Sequence, residues 1–333
     1  MKALRSHQPG GPDTLVLDEV PAPMPGPGEL LVAVRAVGIN FLDTLIIEDQ
    51  YQVRPPRPFS PGAEVAGVVE AVGPDAGSWK PGDRVIAQLS HGGLAQKVLV
   101  DPARAFALPD AVSFATGAGL LITYGTAIYA LTDRARARAG ETMLVLGAGG
   151  GAGLAAVELG RALGLRVIGA VSSPDKAEAV HAAGASEVVI YARAPFDKAQ
   201  SRALGEQFKA AIGPGGADIV YDCVGGDYAE PALRSLGWGG RYLPIGFTAG
   251  IPVLPMNLPL LKTLDICGVF YGAFAERDPA RNAELVADLL DLVARGRVAA
   301  QPPRTWPLER GGEAIAALAD RQAVGKAIVT IAE

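Results

Sequence analysis

The heptapeptide Gly147-Ala148-Gly149-Gly150-Gly151-Ala152-Gly153 constrains the fold of this 333-residue chain more than any other stretch. It leaves the apolar run Met143-Leu144-Val145-Leu146 and enters residues 154–163, a run of helix formers that Gly164 closes. Strand, glycine turn and helix in that order turn a bare glycine spacing into a dinucleotide-binding argument. Positions without side chains let backbone N–H groups approach a pyrophosphate, and the helix start offers unpaired donors to the same anion. Gly147, Gly150, Gly151, Ala152 and Gly153 are therefore candidate cofactor-binding positions. The plainer reading is an ordinary glycine-rich β–α turn.

The length suits two domains with a core each. A chain 49% hydrophobic and 20% charged is a folded one. Its net charge of −5, without a block of like charges, gives no nucleic-acid or membrane surface. Arg134, Arg136 and Arg138 read as a solvated, cation-rich helix end ahead of Gly140. The N-terminal residues lack the apolar core of a secretory signal, and no run reaches the roughly 18–20 apolar residues that span a bilayer. Two cysteines, Cys223 and Cys267, make no disulfide framework, so a reducing cytoplasm is the expected location.

Residues 1–121 read as β-rich, with strands at 29–37, 64–72 and 84–89 and a Pro81-Gly82-Asp83 turn between the last two. Many short strands with Gly and Pro punctuation predict a compact, barrel-like domain. From residue 122 strands alternate with helices. The strands are placed at 143–146, 166–171, 187–191, 218–224, 241–245 and 265–270, with a helix at 174–183 among those between them. Six strands with crossovers describe an α/β, doubly wound parallel sheet. After it come a helix at 280–295, Pro302-Pro303 and a strand at 327–331, too little to fold alone. The expected division is 1–121 catalytic, 122–266 dinucleotide-binding, and 267–333 returning to the first domain.

The stretch from Gly140 through the glycine turn to Arg161 resembles the signature of the quinone oxidoreductase (zeta-crystallin) branch of the medium-chain dehydrogenase/reductase superfamily. Glu158 stands where that signature usually has glutamine. Further matches are Val37-Gly38-Ile39-Asn40-Phe41-Leu42-Asp43, Tyr51, Pro58-Phe59-Ser60-Pro61-Gly62-Ala63-Glu64, Thr123-Tyr124-Gly125-Thr126-Ala127, Tyr221-Asp222-Cys223-Val224-Gly225-Gly226, Trp238-Gly239-Gly240-Arg241 and Val324-Gly325-Lys326. They run in order over nearly the whole chain. The resemblance implies a Rossmann domain inserted in a chaperonin-10-like β-barrel catalytic domain. It also implies a homodimer or tetramer through the last Rossmann strand, here residues 264–271.

Zinc dehydrogenases of the superfamily carry cysteine and histidine where this chain has Asn40 and Ala63, and a cysteine quartet that it lacks. With His7, His91, His181 and two distant cysteines, no ligand set assembles, so the expectation is no metal. Simple alcohol oxidation is then disfavoured, because the alkoxide has no Lewis acid.

In NAD-preferring relatives an acid at the end of the second strand bonds the ribose 2′-hydroxyl. Here Val171 holds that place, followed by Ser172, Ser173 and Lys176, which suit a 2′-phosphate. The expected cofactor is NADPH. The plainer reading makes Ser173 a helix cap and Lys176 a solvated cation. Tyr191 matches a tyrosine that helps bind the adenosine phosphate in relatives.

The resemblance makes Asn40 a hydrogen-bond donor near the acceptor or the nicotinamide ribose, Tyr51 a stacking group or proton donor, and Thr126 a contact of the nicotinamide side. Otherwise Asn40 supports the turn after Gly38 and Tyr51 is loop packing; Asp43 reads as a structural partner. Gly246 and Phe247 lie where a doubly wound sheet meets its cofactor, Phe270 and Tyr271 are expected near the nicotinamide, and Arg321 and Lys326 near the phosphates. Phe247 and Tyr271 read equally as core or interface aromatics. The function expected is a zinc-independent, NADPH-dependent reductase of quinones or other conjugated carbonyls. The alternatives are an enoyl-thioester or alkenal reductase, and a non-catalytic NADPH-binding protein.

Overall fold

The computed structural model describes residues 1–300, 304–319 and 325–332. It divides into two compact units: Met1–Ile122 with Asp278–Arg295 and Ala300–Glu333, and Thr123–Arg277 with Gly296–Ala299.

The second unit is a six-stranded parallel sheet in the order Glu187–Ile190, Arg166–Val171, Thr142–Leu146, Ala217–Asp222, Leu236–Pro244, Asp265–Ile266. That is third, second, first, fourth, fifth, sixth by chain order, the doubly wound arrangement. Its central strands are unbroken apolar runs because helices cover both faces; Met143, Val145, Val167, Ile219 and Tyr221 are wholly buried. Leu146 pairs with Ala170 and with Asp222, and Asp222 with Pro244, so the carboxyl ends of these strands line up.

Two sequence expectations need correction here. The sixth strand is Asp265–Ile266 and does not continue to 270. Beyond it the Cys267 N–H bonds the Tyr242 carbonyl, the Gly268 carbonyl accepts from Arg134 Nε at 2.9 Å, and a helix begins at Tyr271. That helix, Tyr271–Arg277, extends the second unit past residue 266, and Phe274 stacks on Tyr129 with centroids 4.1 Å apart. The cation-rich segment is likewise shorter in helix than expected. A wide turn ends the helix at Arg134, and Arg136 sits in the left-handed region at φ 49°.

In the first unit the strand Leu30–Ile39 is the organising element. It pairs antiparallel with Glu64–Val72, Lys97–Val100 and Ala327–Thr330. Arg84–Gln88 and Ala105–Ala107 extend the sheet on one side, Arg304–Pro307 on the other. The expected turn before Arg84 is present, with Gly82 at φ +95°. Val32, Val37, Val65, Val85, Ile315 and Val329 belong to one buried cluster. Strand register brings three polar residues together. Ala327 lies opposite Ile39 and Gly38 opposite Glu64, so Lys326, Asn40 and Glu64 meet at one end of three strands.

Candidate active site

In the second unit the glycine turn is a steric necessity. Gly147 leaves the first strand at φ +70°, and a methyl there would lie 2.9 Å from Val224 Cγ2. A methyl on Gly153 would lie 2.2 Å from the Gly147 carbonyl oxygen and 2.6 Å from Ala148 Cα, so only glycine lets the helix Gly151–Ala162 close on its strand. Gly150 caps that helix in extended conformation, and neither it nor its neighbours cover the first N–H groups with a side-chain cap. Such a helix start presents donors and a positive dipole end to an anion.

Lys176 and Tyr191 belong to the same turn. A methyl on Gly149 would lie 2.8 Å from Lys176 Cβ, so the lysine stem runs across the turn. The Tyr191 hydroxyl is hydrogen-bonded by the backbone of Gly147, and its ring packs on Tyr228 at 4.8 Å. Only 7% exposed, Tyr191 supports the turn from within. Ser173 occupies the N-cap position of the helix Pro174–Ala182 without a side-chain capping bond, and Ser172 is half-buried beside it. Val171 ends the second strand buried, with no carboxylate.

The loop after the fourth strand is held by a residue that the sequence reading missed. Asp222, buried, accepts from the Val224 and Gly225 N–H groups at 2.7 and 2.9 Å and from the Tyr242 hydroxyl. Burial raises its carboxyl above the ordinary value while these donors oppose the rise. The Gly246 N–H bonds the Asp222 carbonyl at 3.2 Å, and half-exposed Phe247 lies against Gly225. A partner twenty residues away gives no local signal.

In the first unit the Asn40 region is a buried polar knot. Asn40 Nδ2 donates to the Gly38 carbonyl at 3.2 Å and to Glu64 Oε1 at 2.9 Å. Lys326 Nζ donates to Asn40 Oδ1 and to Glu64 Oε1, each at 2.5 Å. Glu64 Oε2 accepts from the Ile122 N–H at 3.0 Å. Asp43 accepts from the Asn40 and Gly62 N–H groups at 2.8 and 2.9 Å, closing a capping box on the helix Phe41–Ile47. Asp43 is thus the structural partner expected.

Asp43 supplies a pH test. Burial raises its carboxyl from the ordinary 3.8 to about 6, against the two backbone donors and the Lys326 charge, which lower it. The folded protein therefore holds the proton more tightly than the unfolded chain. This favours folding below about pH 4 and is lost as pH rises through about 6, a shift worth about 3 kcal/mol. NMR titration of the Asp43 carboxyl should give a midpoint near 6; a midpoint at the ordinary carboxylate value contradicts the burial.

Two family models match the chain: an alcohol dehydrogenase GroES-like domain over residues 26–110 and a zinc-binding dehydrogenase over residues 151–291. The quinone oxidoreductase-like protein 2 of Rattus norvegicus is 35% identical over 95% of this chain and 89% of its own length. The chain belongs to the quinone oxidoreductase branch of the medium-chain dehydrogenase/reductase superfamily. The quinone oxidoreductase of Escherichia coli, solved in complex with NADPH, superposes with a TM-score of 0.86 at 29% identity, covering 99% of this chain and 100% of the other. The CurK enoyl reductase superposes with a TM-score of 0.85 at 25% identity, covering 99% of each. The fold expected for this family, a GroES-like domain with a parallel Rossmann sheet, is the fold found.

Of the residues that the family resemblance nominated, Asn40 and Lys326 are held by partners within the first unit. An amide nitrogen carries two hydrogens, and both of those on Asn40 are engaged within the chain, where the resemblance makes it a donor near the acceptor or the nicotinamide ribose. Lys326 is committed to Glu64 and Asn40 and not to a phosphate, because a buried carboxylate demands a cation. Tyr271, 4% exposed, is a core aromatic packed 2.6 Å from where a methyl on Gly125 would stand; Phe270 beside it is exposed. Thr126 is half-buried on the helix Thr123–Tyr129. Tyr51 is half-buried against the first unit's core, and Arg321 lies outside the described residues. Glu158 keeps a hydrogen bond at the glutamine position, accepting from the Tyr124 hydroxyl at 3.0 Å.

The residues do not fit a zinc ion. Asn40 and Ala63 stand in the ligand slots, and both oxygens of the adjacent Glu64 are taken by N–H donors, one of them an ammonium that would repel a dication. Among the described residues no group of three or more His, Cys, Asp or Glu side chains is placed to hold a metal, and no helix is long and apolar enough to cross a membrane.

Proposed function

We propose that this chain is a zinc-independent, NADPH-dependent reductase that transfers hydride to quinones or other conjugated carbonyl acceptors. The observation that carries the reading is the glycine turn with the Lys176 stem laid across it, beside a second strand that ends in Val171 and two serines. A carboxylate there would repel a 2′-phosphate, and a lysine attracts one. NADPH bound to the Escherichia coli enzyme supports the same cofactor here. The pyrophosphate would rest on N–H groups of Gly150, Gly151, Ala152 and Gly153, with Ser172, Ser173 and Lys176 on the 2′-phosphate. NADPH would supply the hydride. Thr126, Gly246, Phe247 and Phe270 are assigned to the nicotinamide end.

Tyr51 is proposed as the proton donor to the reduced acceptor. Burial, then the Asp43 charge, raises its phenol above the ordinary value, so it holds its proton at neutral pH. The likeness to the CurK enoyl reductase favours a second reading, reduction of the carbon–carbon bond of an enoyl thioester or alkenal.

The test is oxidation of NADPH and NADH with a panel of para-quinones, enones and enoyl thioesters. We expect kcat/KM to favour NADPH by at least about tenfold and Lys176→Ala to remove most of that preference, since one charge contact is worth about 1–2 kcal/mol. Equal use of NADH would sink the cofactor assignment, and turnover of enoyl thioesters alone would select the second reading.

We also infer a homodimer through the second unit. The expected edge strand is too short to carry it, but the chain beyond the fifth strand exposes Ile251, Val253, Met256, Leu260 and Leu261, the second of these at 92%. Exposed apolar runs of that kind mark interfaces. Sedimentation should give a dimer or tetramer; a monomer throughout would remove the inference.

A further inference from the structure

We propose that Arg193 is a specificity-determining residue of this chain: its guanidinium pairs with the 2′-phosphate of NADPH alongside Lys176. The inference rests on the proposed cofactor, and every residue in it belongs to the second unit. The resemblance gives the third strand's phosphate contact to Tyr191. In this chain the Tyr191 hydroxyl is held by the backbone of Gly147 and the residue is 7% exposed, so it buttresses the turn from behind. The next polar side chain beyond that strand is Arg193, and it is exposed.

Strand register brings Arg193 to the end of the second strand. Ile190 lies opposite Val171, and the Tyr191 N–H bonds the Val171 carbonyl at 2.9 Å. The chain after the third strand therefore leaves the sheet beside Ser172, at the spacing of neighbouring strands, about 4.8 Å. There its backbone is pinned. The Tyr228 hydroxyl donates to the Ala192 carbonyl at 3.4 Å and accepts from the Ala194 N–H at 2.8 Å. Asp227 accepts from the Phe196 N–H at 3.2 Å, and the Phe196 ring meets Tyr228 edge-on with centroids 5.0 Å apart. Both bonds to Tyr228 leave from one edge of residue 193, the pattern of extended chain, in which alternation returns its side chain to the side of Tyr191 and the glycine turn. Lys176 comes from another element, the first turn of the helix Pro174–Ala182, with its stem across Gly149. Two cations thus flank Ser172 and Ser173, and the strand between them ends in Val171 without a carboxylate. Among the described residues no acidic side chain pairs with Arg193.

A phosphate monoester is close to a dianion at neutral pH and offers three acceptor oxygens. A guanidinium presents two parallel N–H donors to two of them, while one lysine balances only one of the charges. The 2′-hydroxyl of NADH is neutral and gains little from either cation. Arg193 therefore separates the two nucleotides through the one group in which they differ.

Calorimetric titrations of the wild type, Arg193→Ala and Arg193→Lys with NADPH, NADH and adenosine 2′-monophosphate test the assignment. Arg193→Ala should bind NADPH and the monophosphate about tenfold more weakly and NADH within about twofold of the wild type. Arg193→Lys, which keeps the charge, should lose less. Because the side chain is exposed, both variants should unfold at the wild-type midpoint. Equal weakening of NADPH and NADH would mean a contact to the adenosine they share, and unchanged NADPH affinity would mean no contact; either result overturns the proposal. A wild type without preference for NADPH would refute the cofactor assignment together with it. NADPH binding that depends on Arg193, without turnover of any acceptor, would uphold Arg193 and refute the reductase reading.

Discussion

Gly153→Val should unfold the dinucleotide half of this protein or leave it without cofactor. A methyl at this position meets the Gly147 carbonyl oxygen at 2.2 Å and Ala148 Cα at 2.6 Å, and these are backbone atoms of the turn itself. They cannot rotate away like a side chain. The helix has to lift from its strand or the turn has to change course, at a cost of at least about 3 kcal/mol. Either outcome moves the N–H groups that would receive the pyrophosphate. Gly150→Ala is the control, since its methyl meets nothing nearer than 3.6 Å and its φ of −85° is ordinary. That variant should stay within about 0.5 kcal/mol of wild type. Urea midpoints and NADPH titrations of the pair check the argument; a stable, cofactor-binding Gly153→Val would refute the close packing.

Lys326→Met is the second large effect, and here the quantity is stability. The ammonium is the counter-ion of a carboxylate 1% exposed, and its removal leaves Glu64 buried with only neutral donors. Breaking a buried pair from one side costs about 3–5 kcal/mol, much of it the desolvation of the charge left behind. Adding Glu64→Gln removes that charge and should recover most of the loss. The single variant should thus be much less stable than the double, an order that simple loss of contacts would not give. Equal denaturation midpoints for wild type and Lys326→Met would show that the pair contributes nothing.

What could be read from the sequence was what local chemistry specifies. Apolar strands, glycine turns and helix formers announce themselves over ten to twenty residues, so the parallel sheet with Arg166–Val171 and the strand Glu64–Val72 were legible with their bounds. The sixth strand was overextended because apolar residues after Ile266 look like strand continuation. Only a distant side chain, Arg134, shows that the Gly268 carbonyl has left the sheet. The same limit governs the site. Asn40 and Asp43 share a helix start, but the cation that engages Asn40 lies 286 residues further on and arrives by strand register. No periodicity reports such a pairing. Tyr271 read equally as a cofactor contact or a core aromatic, and its burial depends on the absent side chain of Gly125, which no local pattern reports.

The most direct measurement is the absorbance of NADPH mixed with a para-quinone and protein exhaustively dialysed against a chelator. The account predicts sustained, protein-dependent oxidation of NADPH, undiminished by removal of metal and not increased by added zinc. Loss of that oxidation on chelation with recovery on adding zinc, or no oxidation with any conjugated acceptor at all, would contradict it.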